Sequence, residues 1–222
     1  MNAASSNWSG NLKAVLWDLD GTLIDSYPAI TASVNHVRSE YGLGSMTLEA
    51  VRACVGHGVI HLMTRTVPGC DPDQARLIYS AHHEKTLKSG TKLLPGADSI
   101  LSGLWGRGVR HAVCSNKPRA FSAQLLEHLG IARWVDVLLG PEDVGAPKPA
   151  PDMLILGLEK LGCRKEEALF VGDMTVDIQA ARLAGLRVAV VATGSDTVDK
   201  LKEAGPDIFA MDLQDLDHIL GA

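Results

Sequence analysis

The feature that most restricts the fold of this chain is a rhythm that starts near residue 97. Amphipathic segments alternate with short β-branched runs. Helical spacing covers 97–105, 119–129, 152–161, 176–184 and 197–204. Strand-like runs lie between them at 110–114 (RHAVC), 135–139, 168–171 (ALFV) and 187–192 (RVAVVA). Helices and strands that take turns along a chain imply a parallel sheet, because a crossover helix must return each strand to the same direction. The earlier run AVLW at 14–17 adds a strand that is apolar at every position, as one buried on both faces would be. The expected class is therefore α/β, a Rossmann-like parallel sheet with helices on both faces.

Between residues 27 and 93 the rhythm changes. Helical patterns at 28–41, 48–55, 59–66 and 73–89 follow one another without strands, separated by YGLGS, GHG and PGCDPD, which are turn chemistry. The expected organisation is an α/β core of 11–26 and 94–222, with an all-helical cap of 27–93 inserted after the first strand. Residues 1–10 (MNAASSNWSG) are expected to be a flexible tail, having neither the basic start nor the apolar run of a secretory signal.

Composition removes several classes. Of 222 residues, 46% are apolar, too many for a disordered chain, and the formal net charge of -5 does not suit a nucleic-acid binder. No apolar run approaches the ~20 residues of a membrane span. Cys54, Cys70, Cys114 and Cys163 form no C-x-x-C pair and no zinc-like spacing, which suits reduced thiols in a cytoplasmic protein.

Four short stretches follow predicted core strands and bring chemistry with them. They are Asp18-Leu19-Asp20-Gly21-Thr22, Ser115-Asn116-Lys117, Lys148 in APKPAP, and Asp173 with Asp177 in GDMTVD. Each alone has an ordinary reading: an Asp-rich turn, a helix cap, a loop lysine, an acid favoured at a helix N-terminus. Their joint occurrence in order, each beyond a strand, favours a shared site. Several acids with no thiolate or imidazole cluster suit Mg²⁺, a hard cation that prefers oxygen. The cation also removes the cost of ending a buried strand on two acids. Asp18 is then a candidate nucleophile and Asp20 a candidate acid/base. The amides of Gly21 and Thr22, the Ser115–Asn116 pair and Lys148 are candidate phosphate contacts, and Asp18, Asp20, Asp173 and Asp177 candidate metal ligands, Asp177 directly or through water.

With these stretches in hand, the chain resembles the haloacid dehalogenase superfamily, and most closely its phosphoglycolate phosphatase group with a helical cap. The motifs are DLDGTLIDS, VCSNKP, GAPKPAPDML and LFVGDMTVDIQAARLAG, spread from about Lys13 to Gly194. Trp17 stands where the family usually has Phe, and Ser115 where close relatives often have Thr. The resemblance implies an Mg²⁺-dependent phosphomonoester hydrolase that works through an aspartyl phosphate, with the Asp20 backbone carbonyl as a further metal ligand. The second acid, Asp20, separates the chain from carbon-attacking dehalogenases and from cation-pumping relatives.

The cap is where selectivity is expected. His57, in the VGHGV break, and Arg65 are the candidates there, Arg65 as a partner for a substrate carboxylate; His82, His83 and Lys85 read as an exposed helix face. The expected substrate is a small phosphorylated metabolite, 2-phosphoglycolate first, in a monomer or homodimer. Another phosphatase or a pyrophosphatase shares every core motif. A sugar phosphomutase would carry His where this chain has Ile30. A phospho-accepting switch would need neither Asp20 nor a cap.

Overall fold

The structure is a computed structural model and describes residues 12–221; the predicted tail at 1–10 lies outside them. The first strand, β1 (Ala14–Trp17), is followed by a two-residue strand β2 (Ile24–Asp25). Four helices come next: α1 (Tyr27–Glu40), α2 (Leu48–Arg52), α3 (Val59–Thr66) and α4 (Pro72–Thr86). A short strand β3 (Lys92–Leu93) pairs antiparallel with β2, bringing both ends of the helical segment to the same place. Then α5 (Ala97–Gly106), β4 (Arg110–Cys114), α6 (Arg119–His128), β5 (Val137–Leu139) and α7 (Asp152–Leu161) follow. The chain closes with β6 (Ala168–Gly172), α8 (Thr175–Ala184), β7 (Arg187–Val191), α9 (Val198–Glu203), β8 (Ile208–Ala210) and α10 (Leu213–Leu220).

The main sheet has six strands in the order β5-β4-β1-β6-β7-β8, all parallel, as an α/β class requires. The order reverses at β1: the chain first builds outward through β4 and β5, then crosses to build β6, β7 and β8 on the other side. A crevice therefore opens beyond the carboxyl end of β1, the place where open sheets bind ligands.

The pleat sorts the strand residues onto two faces. Val15, Trp17, Val113, Leu169 and Val171 pack with α5, α6 and α10. Leu16, Ala112, Cys114, Phe170 and Val188 pack with α7 and α8. Trp17 is fully buried, and its indole N–H donates to His111 Nδ1 at 3.0 Å, while His111 Nε2 lies 3.2 Å from the Leu101 carbonyl. An accepting Nδ1 and a donating Nε2 make this imidazole neutral, and burial holds it so, down to about 4.

The helical segment has its own core, built from Tyr27, Ile30, Val34, Val51, Leu62, Met63 and Tyr79. Helix α4 starts where Asp71 accepts from the amides of Asp73 and Gln74, with Pro72 fixing the first turn. Helix α2 starts on Thr47 and stops at Arg52, shorter than the pattern at 48–55. The strand expected at 135–139 begins only at Val137, because a 3₁₀ turn at Ala132–Trp134 uses the preceding residues. No helix among the described residues is long and apolar enough to cross a membrane.

Candidate active site

Three strand ends supply the crevice. Asp18 follows β1, and its amide donates to Val171 O at 2.8 Å, so its position is set by β6. Ser115 follows β4 and is buried. Asp173 follows β6 and is fully buried. Carboxylate oxygens of Asp18, Asp173 and Asp177 all lie within 4.8 Å of one another.

One ammonium answers these acids. Lys148 Nζ sits 2.8 Å from Asp18 Oδ1 and 2.8 Å from Asp177 Oδ1, with its side chain 2% exposed. Asp177 is fully engaged: its other oxygen accepts from the amides of Asp173 at 3.1 Å and Met174 at 3.0 Å. Burial acts against the lysine's charge, but Asp177 and Asp18 outweigh it and raise its pKa. Three carboxylates against one cation leave excess negative charge. Burial is the main cause that pushes Asp18 up from 3.8 to about 6; Lys148 works against the rise, and Asp177 adds to it. Asp173 is raised further by burial, then by Asp177 and Asp18. A cluster this ready to take protons also suits a hard divalent cation, and its donors are all oxygens. Asp18 and Asp173 would hold the ion, with Asp177 supporting both through Lys148 and the backbone.

Two glycines make room here. Gly21 has φ +86°, where a side chain is strained, and an added Cβ would come within 2.6 Å of Asp173 Oδ2. Gly194 lies flat over the same acid: a Cβ there would fall 1.5 Å from Oδ2. Asp173 also accepts from Thr22 Oγ1 at 2.8 Å and from the Ser195 amide at 3.2 Å. The Thr22 hydroxyl is thus committed to the acid. The amides of Gly21 and Thr22 close the turn onto Ile24 O and Leu19 O, leaving those of Leu19 and Asp20 as the loop amides without a backbone partner among the described residues.

Asp20 is not part of the three-acid cluster. Its carboxylate accepts from Ser26 Oγ, and its two oxygens lie 3.1 and 2.9 Å from Lys117 Nζ. Asn116 acts as a brace. Its Nδ2 donates at 2.9 Å both to Lys148 O and to Gly56 O in the helical segment, and its Oδ1 accepts from the Lys148 amide at 2.9 Å.

A cleft opens between sheet edge and helices. Asp18, Asp20, Ser115, Asn116 and Lys117 line its floor; Ile30, Val55, Val59, Leu62 and Tyr79 line its roof. His57 and Arg65 are exposed and do not line it, although Gly56 and Gly58 do. The face expected to be exposed on α4 needs correction. His83 is 1% exposed and borders the cleft, its ring stacked 5.0 Å from Tyr79, because the turn of α4 carries it inward while Lys85 faces out.

Some of the site has no signal in local pattern. Arg52, from α2, donates to Thr193 O at 2.7 Å and to Gly194 O at 3.0 Å, and its guanidinium lies 4.7 Å over the Tyr27 ring. Tyr27 OH meets Ser195 Oγ at 3.0 Å. These contacts tie the helical segment to the loop that covers Asp173, across more than 140 residues of sequence for Arg52.

The comparisons with known proteins agree with this architecture. The family model for haloacid dehalogenase-like hydrolases matches residues 15–191. A phosphoglycolate phosphatase of Rhodospirillum rubrum is 36% identical over 193 residues, covering 82% of this chain and 80% of its own. That of Escherichia coli K12 is 32% identical, covering 95% and 93%. Among solved structures, a predicted phosphoglycolate phosphatase from Haemophilus somnus superposes with a TM-score of 0.89 at 26% identity, covering 95% of this chain and 99% of its own. The chain belongs to the haloacid dehalogenase-like hydrolases. Within that family it is a phosphatase, whose substrate is a small phosphorylated molecule.

Proposed function

We propose that this phosphatase hydrolyses phosphomonoesters with Mg²⁺ through a phospho-Asp18 intermediate, and that 2-phosphoglycolate is its preferred substrate. The observation that carries the reading is the meeting of Asp18, Lys148 and Asp173 at the switch point of the sheet. The substrate is suggested by the relatives named above.

In this mechanism the phosphate rests against the free amides of Leu19 and Asp20 and the Ser115 hydroxyl, donors aimed where negative charge collects. An Asp18 oxygen attacks phosphorus, and the bond to the ester oxygen breaks. An alkoxide leaves poorly, so Asp20 gives it a proton, help that contributes ~10²–10⁴-fold. Water then attacks the phosphoaspartate, gives its proton to Asp20, and releases inorganic phosphate and free Asp18. Lys148 keeps Asp18 oriented and charged between turnovers. Bound Mg²⁺ supplies the positive charge that lets an anionic nucleophile approach an anionic ester. The segment 27–93 serves as the cap that limits water in the cleft.

The test is a purified-protein screen of phosphorylated metabolites with Mg²⁺. Repeated turnover with 2-phosphoglycolate among the better substrates by kcat/KM, lost on chelation, is the expected result. A single stoichiometric release would replace hydrolysis with a phospho-accepting switch. Turnover in which 2-phosphoglycolate ranks low would overturn the substrate alone.

A further inference from the structure

The floor of the cleft carries a cation that the mechanism above leaves without a task of its own. Lys117 is the only lysine or arginine among the described residues that line the cleft. Its side chain is 5% exposed, and its Nζ touches both oxygens of Asp20. Opposite, Ile30, Val55, Val59 and Leu62 offer no charge. His83 adds none either, since burial and the charge of Lys117 hold its imidazole neutral down to about 3.

Asp20 meets the ester oxygen if it is the acid of the reaction. Lys117 Nζ, 2.9 Å from Asp20, is then the ammonium nearest whatever is attached to the carbon bearing that oxygen. An ammonium has three N–H donors, and two suffice for the Asp20 contacts. An anion entering between an acidic floor and an apolar roof needs a cation, because burying it unpaired is costly. Arg65, the cap residue that sequence offered for this task, is exposed and away from the cleft.

We infer that Lys117 is the specificity-determining residue that reads a carboxylate on the carbon next to the ester oxygen, so that the preferred substrates are short 2-phosphooxy carboxylates. This rests on the phosphatase reading and extends it. A longer leaving group would carry its carboxylate past Nζ into the apolar roof.

The experiment compares kcat/KM for 2-phosphoglycolate and for ethyl phosphate, in which a methyl replaces the carboxylate, in wild type, Lys117→Met and Lys117→Arg. Wild type should prefer 2-phosphoglycolate by ~10-fold or more, the scale of losing a partner to a buried polar group. Lys117→Met should bring the ratio to about one while ethyl phosphate falls less, and Lys117→Arg should restore part of the preference. An equal loss on both esters, with the ratio intact, would make Lys117 only the counterion of Asp20 and overturn the inference. So would a wild-type ratio near one, a result that needs no variant to fold. If wild type turned over neither ester, nor p-nitrophenyl phosphate, the phosphatase mechanism would fall instead.

Discussion

The two walls of the cleft are built on opposite principles. The sheet-edge wall presents Asp18, behind which Asp173, Asp177 and Lys148 complete one buried charge cluster. The helical wall is Ile30, Val55, Val59 and Leu62, with Tyr79 and the neutral His83 behind them. In the proposed mechanism one wall positions reacting atoms by electrostatics, and the other shapes space and excludes water. A change in the buried cluster should therefore cost chemistry, whereas one on the helical wall, or at Lys117 beside it on the floor, should cost selectivity.

The sharpest way to break this contrast is at Asp18. Asp18→Asn should lower kcat by ~10⁴-fold or more, the scale of removing a nucleophile; steady hydrolysis of p-nitrophenyl phosphate by the variant would remove Asp18 from that role. Lys148→Met should follow at ~10²–10³-fold in kcat, as for the loss of one oriented charge contact. Its readout is kcat against KM at saturating Mg²⁺.

A stability measurement sharpens the same point. The Asp18 carboxyl is raised to about 6 from 3.8, so the folded protein holds this proton more tightly than the unfolded chain. Stability from this group is full below 3.8 and is lost as pH rises through 6. In chelator, Asp18→Asn should thus be more stable than wild type at pH 7.5. The gap should close as pH falls toward 4, and Mg²⁺ should reverse it by binding the wild type. Thermal melts across pH check this; a gap independent of pH would show that charge crowding is not its source.

How much of this was legible follows the same division. The charged cluster comes from four stretches, three of which end a strand, and those ends are readable because apolar runs stop abruptly at Asp18, Ser115 and Asp173. The hydrophobic wall was harder. His83 looks like its neighbours His82 and Lys85 in sequence, and only the rotation of α4 buries one of the three. Helical breaks placed the turn at 56–58, but not which of its residues face inward, and it is the glycines, not His57, that do. Lys117 stands in full view two residues after Ser115, yet its pairing with Asp20 spans 97 residues and leaves no periodic trace. The strands β2, β3 and β8 are two or three residues long, too short for alternation to register.

Two smaller effects complete the series. Trp17→Phe removes the donor to His111 Nδ1 and should cost about 1–2 kcal/mol of stability, the price of an unpaired buried acceptor, with kcat nearly unchanged. Chemical denaturation measures it, and an unchanged midpoint would mean the pair contributes nothing. His57→Ala and Arg65→Ala, both on exposed positions, should alter kcat/KM by less than about twofold. A tenfold loss in either would bring that residue back to the substrate.

The Asn116 brace has a consequence for how such a molecule can breathe. A single carboxamide grips the amide and the carbonyl of Lys148 and also one carbonyl of the helical segment. When the roof lifts, only the last of these three grips must let go. The lysine keeps its station and the acids keep their counter-charge, so any further cost of opening falls on the Arg52 and Tyr27 contacts to residues 193–195 and not on the charged cluster.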